Sequence, residues 1–155
     1  MRAIAFLADS VAVAEGKLYV QGAGWDAILT GALPTRHPRI GIGVLVRVPY
    51  GETNMPHQFE LRIEDPDGKE VPLGDAPPGT TPDGKVRRLG GPLMVGRPPL
   101  LTAGDEQVVP IAANLDGLVF ETSGTYRIVV SVDGQDAEVV PFRIGLVPQL
   151  TPIMR

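Results

Sequence analysis

Histidine is the side chain best suited to proton transfer near neutral pH, and the chain has two, His37 and His57. His37 lies in a basic segment that contains a proline, and His57 opens a run of alternating apolar residues that includes Phe59. Neither histidine has a second histidine or a carboxylate at the spacing of a catalytic or metal-binding pair. A hydrolase that uses either histidine with a loop carboxylate is therefore less favoured than a binding function.

Nucleophilic side chains are scarce. The only serines are Ser10, Ser123 and Ser131, and none lies in the Gly-x-Ser-x-Gly pattern that exposes a catalytic serine. The chain has no cysteine, which excludes disulfides, zinc–thiolate sites and cysteine nucleophiles and favours a cytoplasmic location. We therefore predict a protein without enzymatic activity and assign no catalytic residue.

The carboxylates lie mainly where turns are expected. Asp65-Pro66-Asp67-Gly68 resembles the start of a calcium loop, but no third acidic ligand or distant glutamate follows at the required spacing. Asp65, Asp67, Asp133 and Asp136 could still gather at one end of a β-sandwich, although aspartates of this kind usually cap their own turn. The glycines around Gly22 precede no helix that would hold a phosphate. We predict neither a metal nor a cofactor.

A possible ligand contact lies in the first quarter of the chain. Arg36 and Arg39 flank His37, and two arginines can hold one anionic group, while Trp25 could stack against a ligand. The candidate ligand contacts are Trp25, Arg36, His37 and Arg39. The alternatives are a core position for the tryptophan and solvated charges for the arginines. A net charge of −4 and an aromatic content of 5% argue against nucleic-acid binding.

Alternation of apolar and polar residues dominates the rest of the sequence. Side chains at every second position of a strand share one face, so these segments predict half-buried antiparallel strands. The apolar faces contain Ile40, Ile42, Val44, Val46 and Val48; then Phe59, Leu61 and Ile63; then Tyr126, Ile128, Val130 and Val132.

The first thirty residues are also predicted to be extended. Glu15-Gly16 separates a first strand, Ile4–Val13, from a second strand, Lys17–Ala23, and Asp26–Thr30 could continue the second strand after a bend. A helix over residues 1–15 remains the alternative, because these residues include neither glycine nor proline and are rich in alanine.

Turn signals place the remaining elements. Asp133-Gly134 predicts a terminal hairpin of Thr125–Val132 with Ala137–Ile144. Pro110 and Pro141 predict edge strands or bulges. Residues 74–100, rich in glycine and proline, are predicted to form two loops around a short strand at Leu93–Val95, and their order is left open.

These elements predict an all-β fold. Its 155 residues suit one domain, and we expect an antiparallel two-sheet sandwich of the immunoglobulin-like type over residues 1–145. A jelly roll or a small barrel is the alternative. The longest apolar run near the start, Ala3–Ala8, is too short to span a membrane.

The C-terminal tail, residues 146–155, is apolar and contains two prolines and one charged side chain. Free tails are usually polar, so we expect this one to dock on its own domain or on a neighbouring subunit. The candidate interface residues are Leu146, Val147, Leu150, Ile153 and Met154. The expected partner is a second copy of the chain or another protein.

Several motifs resemble those of a bacterial, largely actinobacterial, family of single-domain proteins of unknown function. They are Phe6-Leu7-Ala8-Asp9-Ser10, Gly16-Lys17-Leu18-Tyr19-Val20, Gly22-x-Gly24-Trp25, Pro56-His57, Gly96-Arg97-Pro98-Pro99, Gly124-x-Tyr126, Asp133-Gly134 and Pro141-Phe142-Arg143. The resemblance implies a β-rich cytoplasmic protein and brings no activity or catalytic residue with it. The sequence thus favours an interaction or assembly module that self-associates. A small-ligand or carbohydrate-binding sandwich is the alternative.

Overall fold

A computed structural model describes residues 1–148, which contain twelve β-strands, one 3₁₀ turn at Tyr50–Glu52 and no α-helix. The first fifteen residues are extended, as predicted, and the helical alternative is wrong. The single strand predicted at Ile4–Val13 is, however, divided at Asp9 into two strands that pair in different sheets. The strands are β1 (Arg2–Ala8), β2 (Ser10–Ala14), β3 (Lys17–Gln21), β4 (Ala27–Thr30), β5 (Thr35–Pro49), β6 (Pro56–Glu64), β7 (Gly74–Asp75), β8 (Lys85–Val86), β9 (Arg88–Met94), β10 (Glu106–Phe120), β11 (Gly124–Val132) and β12 (Gln135–Leu146).

The strands form two main sheets. One has the order β1-β5-β10, and the other has the order β4-β12-β11-β6-β9. All pairs in them are antiparallel except β4 with β12. Neighbours in the sequence such as β5 and β6 lie in different sheets, as in the immunoglobulin-like sandwich. Two short ribbons, β2–β3 and β7–β8, complete the fold. The predicted all-β sandwich is confirmed.

The core lies between the two sheets. Ile42 and Val44 of β5 are fully buried, as are Ile63 of β6 and Ile128 of β11, and all four belong to one apolar cluster. Burying a side chain of this size contributes about 1.5–3 kcal/mol each to stability. The period-two pattern of the sequence thus identifies the buried face correctly.

Two prolines, Pro110 and Pro141, lie within strands. At both positions one side of the strand has no neighbour that would accept a hydrogen bond from a backbone N–H. Pro110 is in β10, the outer strand of its sheet. Pro141 is in β12 opposite Arg127, at a level that β4 does not reach, because β4 first pairs at Arg143. Pro110 thus confirms the predicted edge strand, whereas Pro141 lies in an inner strand, at a stretch where β12 has only one partner strand.

Two glycines of β5 allow the β2–β3 hairpin to lie on the outer face of the first sheet. A Cβ atom at Gly41 would lie 3.0 Å from the Ser10 backbone of β2, and one at Gly43 would lie 3.1 Å from the Leu18 side chain of β3. The Asn114 side chain of β10 holds the hairpin by accepting from the Val11 N–H (3.0 Å) and donating to the Val11 carbonyl (2.8 Å).

We expect Asn114→Ala to loosen this hairpin. Two neutral hydrogen bonds are lost, which should lower the free energy of unfolding by about 1–2 kcal/mol and speed hydrogen exchange at Val11. Gln107→Ala, on the same strand, is the control, because the Gln107 amide makes only a long 3.4 Å contact with the Val108 carbonyl. Unchanged protection of Val11 in Asn114→Ala would contradict the role given to Asn114.

Two further sequence predictions require correction. Asp26–Thr30 does not continue β3, since β4 joins the other sheet beside β12 after Gly22 and Gly24 turn the chain at φ of +68° and +99°. The strand predicted at Leu93–Val95 is longer and begins earlier, at Arg88, where it pairs with β6.

Candidate functional site

The four predicted ligand contacts do not form one site. The Trp25 ring packs partly buried against the core, with its centroid 6.1 Å from that of His37. Burial lowers the pKa of His37 and so favours the neutral ring. Arg39 is held by Asp116 through two contacts of 2.6 and 3.1 Å, whereas Arg36 faces a groove at the end of the sandwich. A ligand contact at these residues stays a prediction. Trp25 and His37 lie in one environment, beside the core, and Arg36 lies in another, at the groove.

His57 is held between two acceptors. Its Nδ1 lies 2.7 Å from Asp133 Oδ2 and its Nε2 lies 2.8 Å from the Glu52 carbonyl oxygen, and its side chain is 5% exposed. The other Asp133 oxygen accepts from the Gln58 N–H at 2.8 Å. Both ring nitrogens therefore face oxygen, an arrangement that the doubly protonated ring satisfies.

The charged forms of His57 and Asp133 stabilise each other. The hydrogen bond to the Glu52 carbonyl and then the one to Asp133 raise the pKa of His57. The Gln58 amide and then His57 lower the pKa of Asp133. His57 thus connects β6 to the turn between β11 and β12. Sequence reasoning missed this pair because Asp133, a turn residue with φ of +52°, is 76 positions away.

The pair predicts a pH dependence of stability. The pKa of His57 is raised in the folded chain, so its stabilising effect is complete below about pH 6.5, the usual value in an unfolded chain. The effect is lost as the pH rises through the folded-state pKa, with a limiting slope of about 1.4 kcal/mol per pH unit. Urea titrations between pH 6 and 9 should show this loss in the wild type and not in His57→Phe. His37→Phe, the control, should retain it; a wild-type stability independent of pH would contradict the assignment.

A groove of about 530 Å³ opens at one end of the sandwich, between residues 69–75 and the end of β10. Val71 and Leu73 anchor the first wall, where the Val71 N–H donates to the Ile63 carbonyl at 2.8 Å and the Leu73 N–H to the Val86 carbonyl at 2.7 Å. Leu118 and Val119 form part of the second wall. The volume of the groove lies within the range of ligand-binding clefts.

Most carboxylates around the groove are already paired. Arg88 binds Glu70, Lys85 binds Asp75 at 2.7 Å, and Arg39 binds Asp116. Four charged lining residues, Arg36, Asp65, Lys69 and Glu121, have no ion-pair partner within residues 1–148. The groove thus offers two cations and two carboxylates that have no ion-pair partner among residues 1–148, and its apolar residues Val71, Leu73 and Leu118 are themselves nearly buried.

An apolar patch, which we call the end patch, consists of Leu29 and Val147, which the register of β4 with β12 places on one face of the sheet, whereas Leu146 lies beside Thr30 on the opposite face. The exposed fractions of Leu29, Leu146 and Val147 are 68%, 54% and 40%. β12 continues to Leu146, which pairs with Thr30, and the Val147 N–H donates to the Thr30 carbonyl at 2.8 Å. Two predicted interface residues, Leu146 and Val147, therefore lie at the surface; Leu150, Ile153 and Met154 fall outside the described residues.

The end patch and the groove lie at the same end of the sandwich. The Thr30 hydroxyl contacts the Thr35 hydroxyl at 3.2 Å, and Thr35 precedes Arg36 of the groove. Thr35 also pairs with Phe120, which precedes Glu121. The chain thus leaves the described region close to the groove.

Tyr126, which lines the groove, also marks the fold class. Its hydroxyl donates to the Thr122 carbonyl at 2.8 Å, which is the tyrosine corner of immunoglobulin-like sandwiches. With the strand order, this feature makes the protein an all-β sandwich domain. The chain belongs to a family of unknown function, DUF6941, whose model matches residues 3–145. Comparisons with curated proteins and with solved structures gave no match. None of residues 1–148 forms a helix long and apolar enough to cross a membrane.

Proposed function

We propose that the protein is a non-catalytic, cytoplasmic interaction module that associates with a second copy of itself. The observation that carries this proposal is the end patch, because Leu29 and Val147 are exposed on the same face of the β4–β12 pair. An exposed apolar cluster is a common mark of a protein interface. Burial of apolar surface contributes roughly 25 cal/mol per Å², so a contact that covers these side chains favours association.

The local structure suits a contact between copies. β4 is the outer strand of its sheet, and Leu29 lies against Gly145, where a Cβ atom would come within 3.0 Å of the leucine side chain. The absence of a side chain at Gly145 allows Leu29 to lie close to the sheet. Two identical patches related by a two-fold axis would cover each other, and dimers of this symmetry are the commonest assemblies.

Sedimentation of the full chain tests the proposal. We expect a dimer whose dissociation constant rises at least roughly tenfold in Leu29→Asp, since a charge would enter the apolar contact. Met94→Asp is the matched control, because Met94 is 72% exposed on β9, the opposite edge of the same sheet. A full chain that remains a monomer at high concentration, or an equal effect of both substitutions, would refute the proposal.

A further inference from the structure

We propose that Asp67 is a modification site, where rearrangement of the Asp67-Gly68 pair forms an isoaspartyl bond that isoaspartyl carboxyl methyltransferases recognise. Bonds of this kind form at Asp-Gly pairs, because glycine has no Cβ atom to block the approach of its nitrogen. The chain has four such pairs, which begin at Asp67, Asp83, Asp116 and Asp133. All four aspartates are exposed, so exposure does not decide which of them reacts.

The rearrangement needs no oxidant and no cofactor. The Gly68 nitrogen attacks Asp67 Cγ and loses its proton, and the carboxyl group releases one oxygen as water, so that a five-membered succinimide ring closes. Water then opens the ring at one of its two carbonyl carbons. Cleavage between the Gly68 nitrogen and the main-chain carbonyl carbon of Asp67 leaves the chain joined through Cγ, which is the isoaspartyl bond. Cleavage at Cγ restores aspartate.

In two of the other pairs, the partners of the carboxylate lie on distant strands. Asp116 accepts two hydrogen bonds from Arg39, at 2.6 and 3.1 Å. Asp133 accepts from the Gln58 N–H at 2.8 Å and lies 2.7 Å from the His57 ring. Ring closure requires the carboxyl group to leave these partners and turn toward its own main chain, so each bond slows the reaction.

Asp67 and Asp83 form a matched pair. Each lies in the sequence Pro-Asp-Gly-Lys, at residues 66–69 and 82–85, so the local sequence gives both the same reactivity. The Asp83 carboxylate accepts from the Arg87 guanidinium and, at 3.2 Å, from a main-chain N–H. The Asp67 carboxylate forms no ion pair and no hydrogen bond within residues 1–148. The fold therefore restrains one carboxylate and leaves the other free to reach Gly68.

The restrained carboxylates also keep their charge. The Arg87 guanidinium lowers the pKa of Asp83 to about 2. The hydrogen bonds that Asp116 and Asp133 accept lower the pKa of each of these carboxyl groups as well. Ring closure proceeds most easily from the neutral carboxyl group, because its oxygen can leave as water. The bonds that hold these three aspartates thus also reduce the reactive fraction.

The glycine nitrogens do not distinguish the matched pair. The Gly68 N–H donates to the Asp65 carbonyl at 2.9 Å, and the Gly84 N–H donates to the Thr81 carbonyl at 3.3 Å. Both bonds close short turns at the surface, where hydrogen bonds open at a small fraction of the free energy of global unfolding. The difference in reactivity therefore depends on the carboxylates.

The modification changes the turn that leads into the groove wall. Asp65 Oδ1 accepts from the Asp67 and Lys69 N–H groups, both at 2.9 Å. The isoaspartyl bond adds one methylene group to the main chain inside this turn, so the bond to Lys69 cannot keep its geometry. Residues 69–75, which form that wall of the groove, begin directly after it.

Ageing of the full chain at mildly acidic pH tests the proposal, with one sample folded and one unfolded in guanidinium chloride. Electron-transfer fragmentation of the digested chains locates isoaspartate at each pair. In the unfolded sample we expect equal amounts at Asp67 and Asp83, because their tetrapeptides are identical. In the folded sample we expect at least roughly tenfold more at Asp67, since a hydrogen bond to a charged group is worth about this factor. Equal amounts in the folded chain, or none at Asp67, would overturn the proposal.

Arg87→Ala provides a second readout. It releases the Asp83 carboxylate and should raise isoaspartate at Asp83 in the folded chain while leaving that at Asp67 unchanged. Arg143→Ala is the control, because Arg143 is an exposed arginine that pairs with Asp26 and contacts neither site. An Asp83 signal that stays low in Arg87→Ala would overturn the reason for the choice of Asp67.

Methylation identifies the product. A purified isoaspartyl carboxyl methyltransferase moves a methyl group from S-adenosylmethionine to the carboxylate that the rearrangement places on Asp67 Cα, and S-adenosylhomocysteine is released. We expect methyl incorporation into aged, folded wild type and at least roughly tenfold less into aged Asp67→Glu, because glutamate would have to close a six-membered ring and the other pairs are restrained. Equal incorporation into both would overturn the assignment to Asp67.

Discussion

Replacement of Gly90 by alanine should separate β9 from β6 and lower the free energy of unfolding by about 3 kcal/mol, at the upper end of typical overpacking costs. A Cβ atom at Gly90 would overlap the Phe59 carbonyl oxygen and lie 2.9 Å from the Glu60 Cα. Both are backbone atoms of the paired strand, so no side-chain rotation relieves the clash. Only a shift of the β6–β9 pairing can accommodate the methyl group.

Gly91→Ala is the matched control. It adds the same methyl group one position later on the same strand, where no atom lies within 4 Å of the new Cβ. We expect a change within about 0.5 kcal/mol, as for other surface substitutions. Urea unfolding of both variants, followed by hydrogen exchange at Leu61 and Leu89, measures the difference. Equal stabilities would show that the β6–β9 backbones are not held this close.

The β9 strand matters for the groove as well as for the sheet. Arg88 at its start binds Glu70 and also donates to Glu60 at 2.8 Å. Glu70 precedes Val71, so the position of β9 helps to fix the wall of the groove that residues 69–75 provide. A displaced β9 in Gly90→Ala should therefore also alter the groove amides, beginning with that of Val71.

Local patterns predicted the features of the fold that depend on local physics. Alternation alone identified the buried face of β5, because side chains two positions apart share a face wherever a strand forms. Asp133-Gly134 located the terminal hairpin, since both residues adopt the positive φ angles that the turn requires, +52° and +77°. Pro110 and Pro141 marked unpaired edges for an equally local reason, the missing N–H.

Local sequence patterns did not predict the backbone contacts between strands that are far apart in the chain. The start of β9, Arg88-Leu89-Gly90-Gly91-Pro92, has the composition of a loop, and its glycines disguise a strand. Gly90 is required by the close approach of another strand, which a local pattern does not reveal. The parallel pairing of β4 with β12 is likewise set by residues more than a hundred positions apart.

The same contrast between predictable local features and unpredictable long-range contacts applies to the candidate sites. Arg36 and Arg39 are neighbours in the sequence, yet Asp116 of β10 binds one of them while the other faces the groove. The groove itself depends on residues 69–75, whose irregular path is fixed by bonds to β6 and β8. By contrast, the apolar character of Leu146 and Val147 stands out in the sequence, because free tails are usually polar.

The largest loss of stability is expected from Phe120→Ala, at about 3–5 kcal/mol. Phe120 is fully buried beneath the groove, with ring centroids 5.0 Å from Tyr126 and 5.9 Å from Phe142. Both contacts are edge-to-face, at 81° and 76°, and add to the value of the buried area. The alanine would leave a cavity among β10, β11 and β12 that these neighbours can only partly close.

Tyr126→Phe separates packing from hydrogen bonding in the same cluster. It keeps the ring and removes only the hydroxyl that donates to Thr122, so we expect a smaller loss of about 1–2 kcal/mol. Domains are stable by only about 5–15 kcal/mol, so Phe120→Ala should remove a large share of the total and Tyr126→Phe a minor one. Urea titrations with equal slopes would establish this order. The reverse order would mean that the tyrosine corner, and not the aromatic packing, holds this end of the sandwich together.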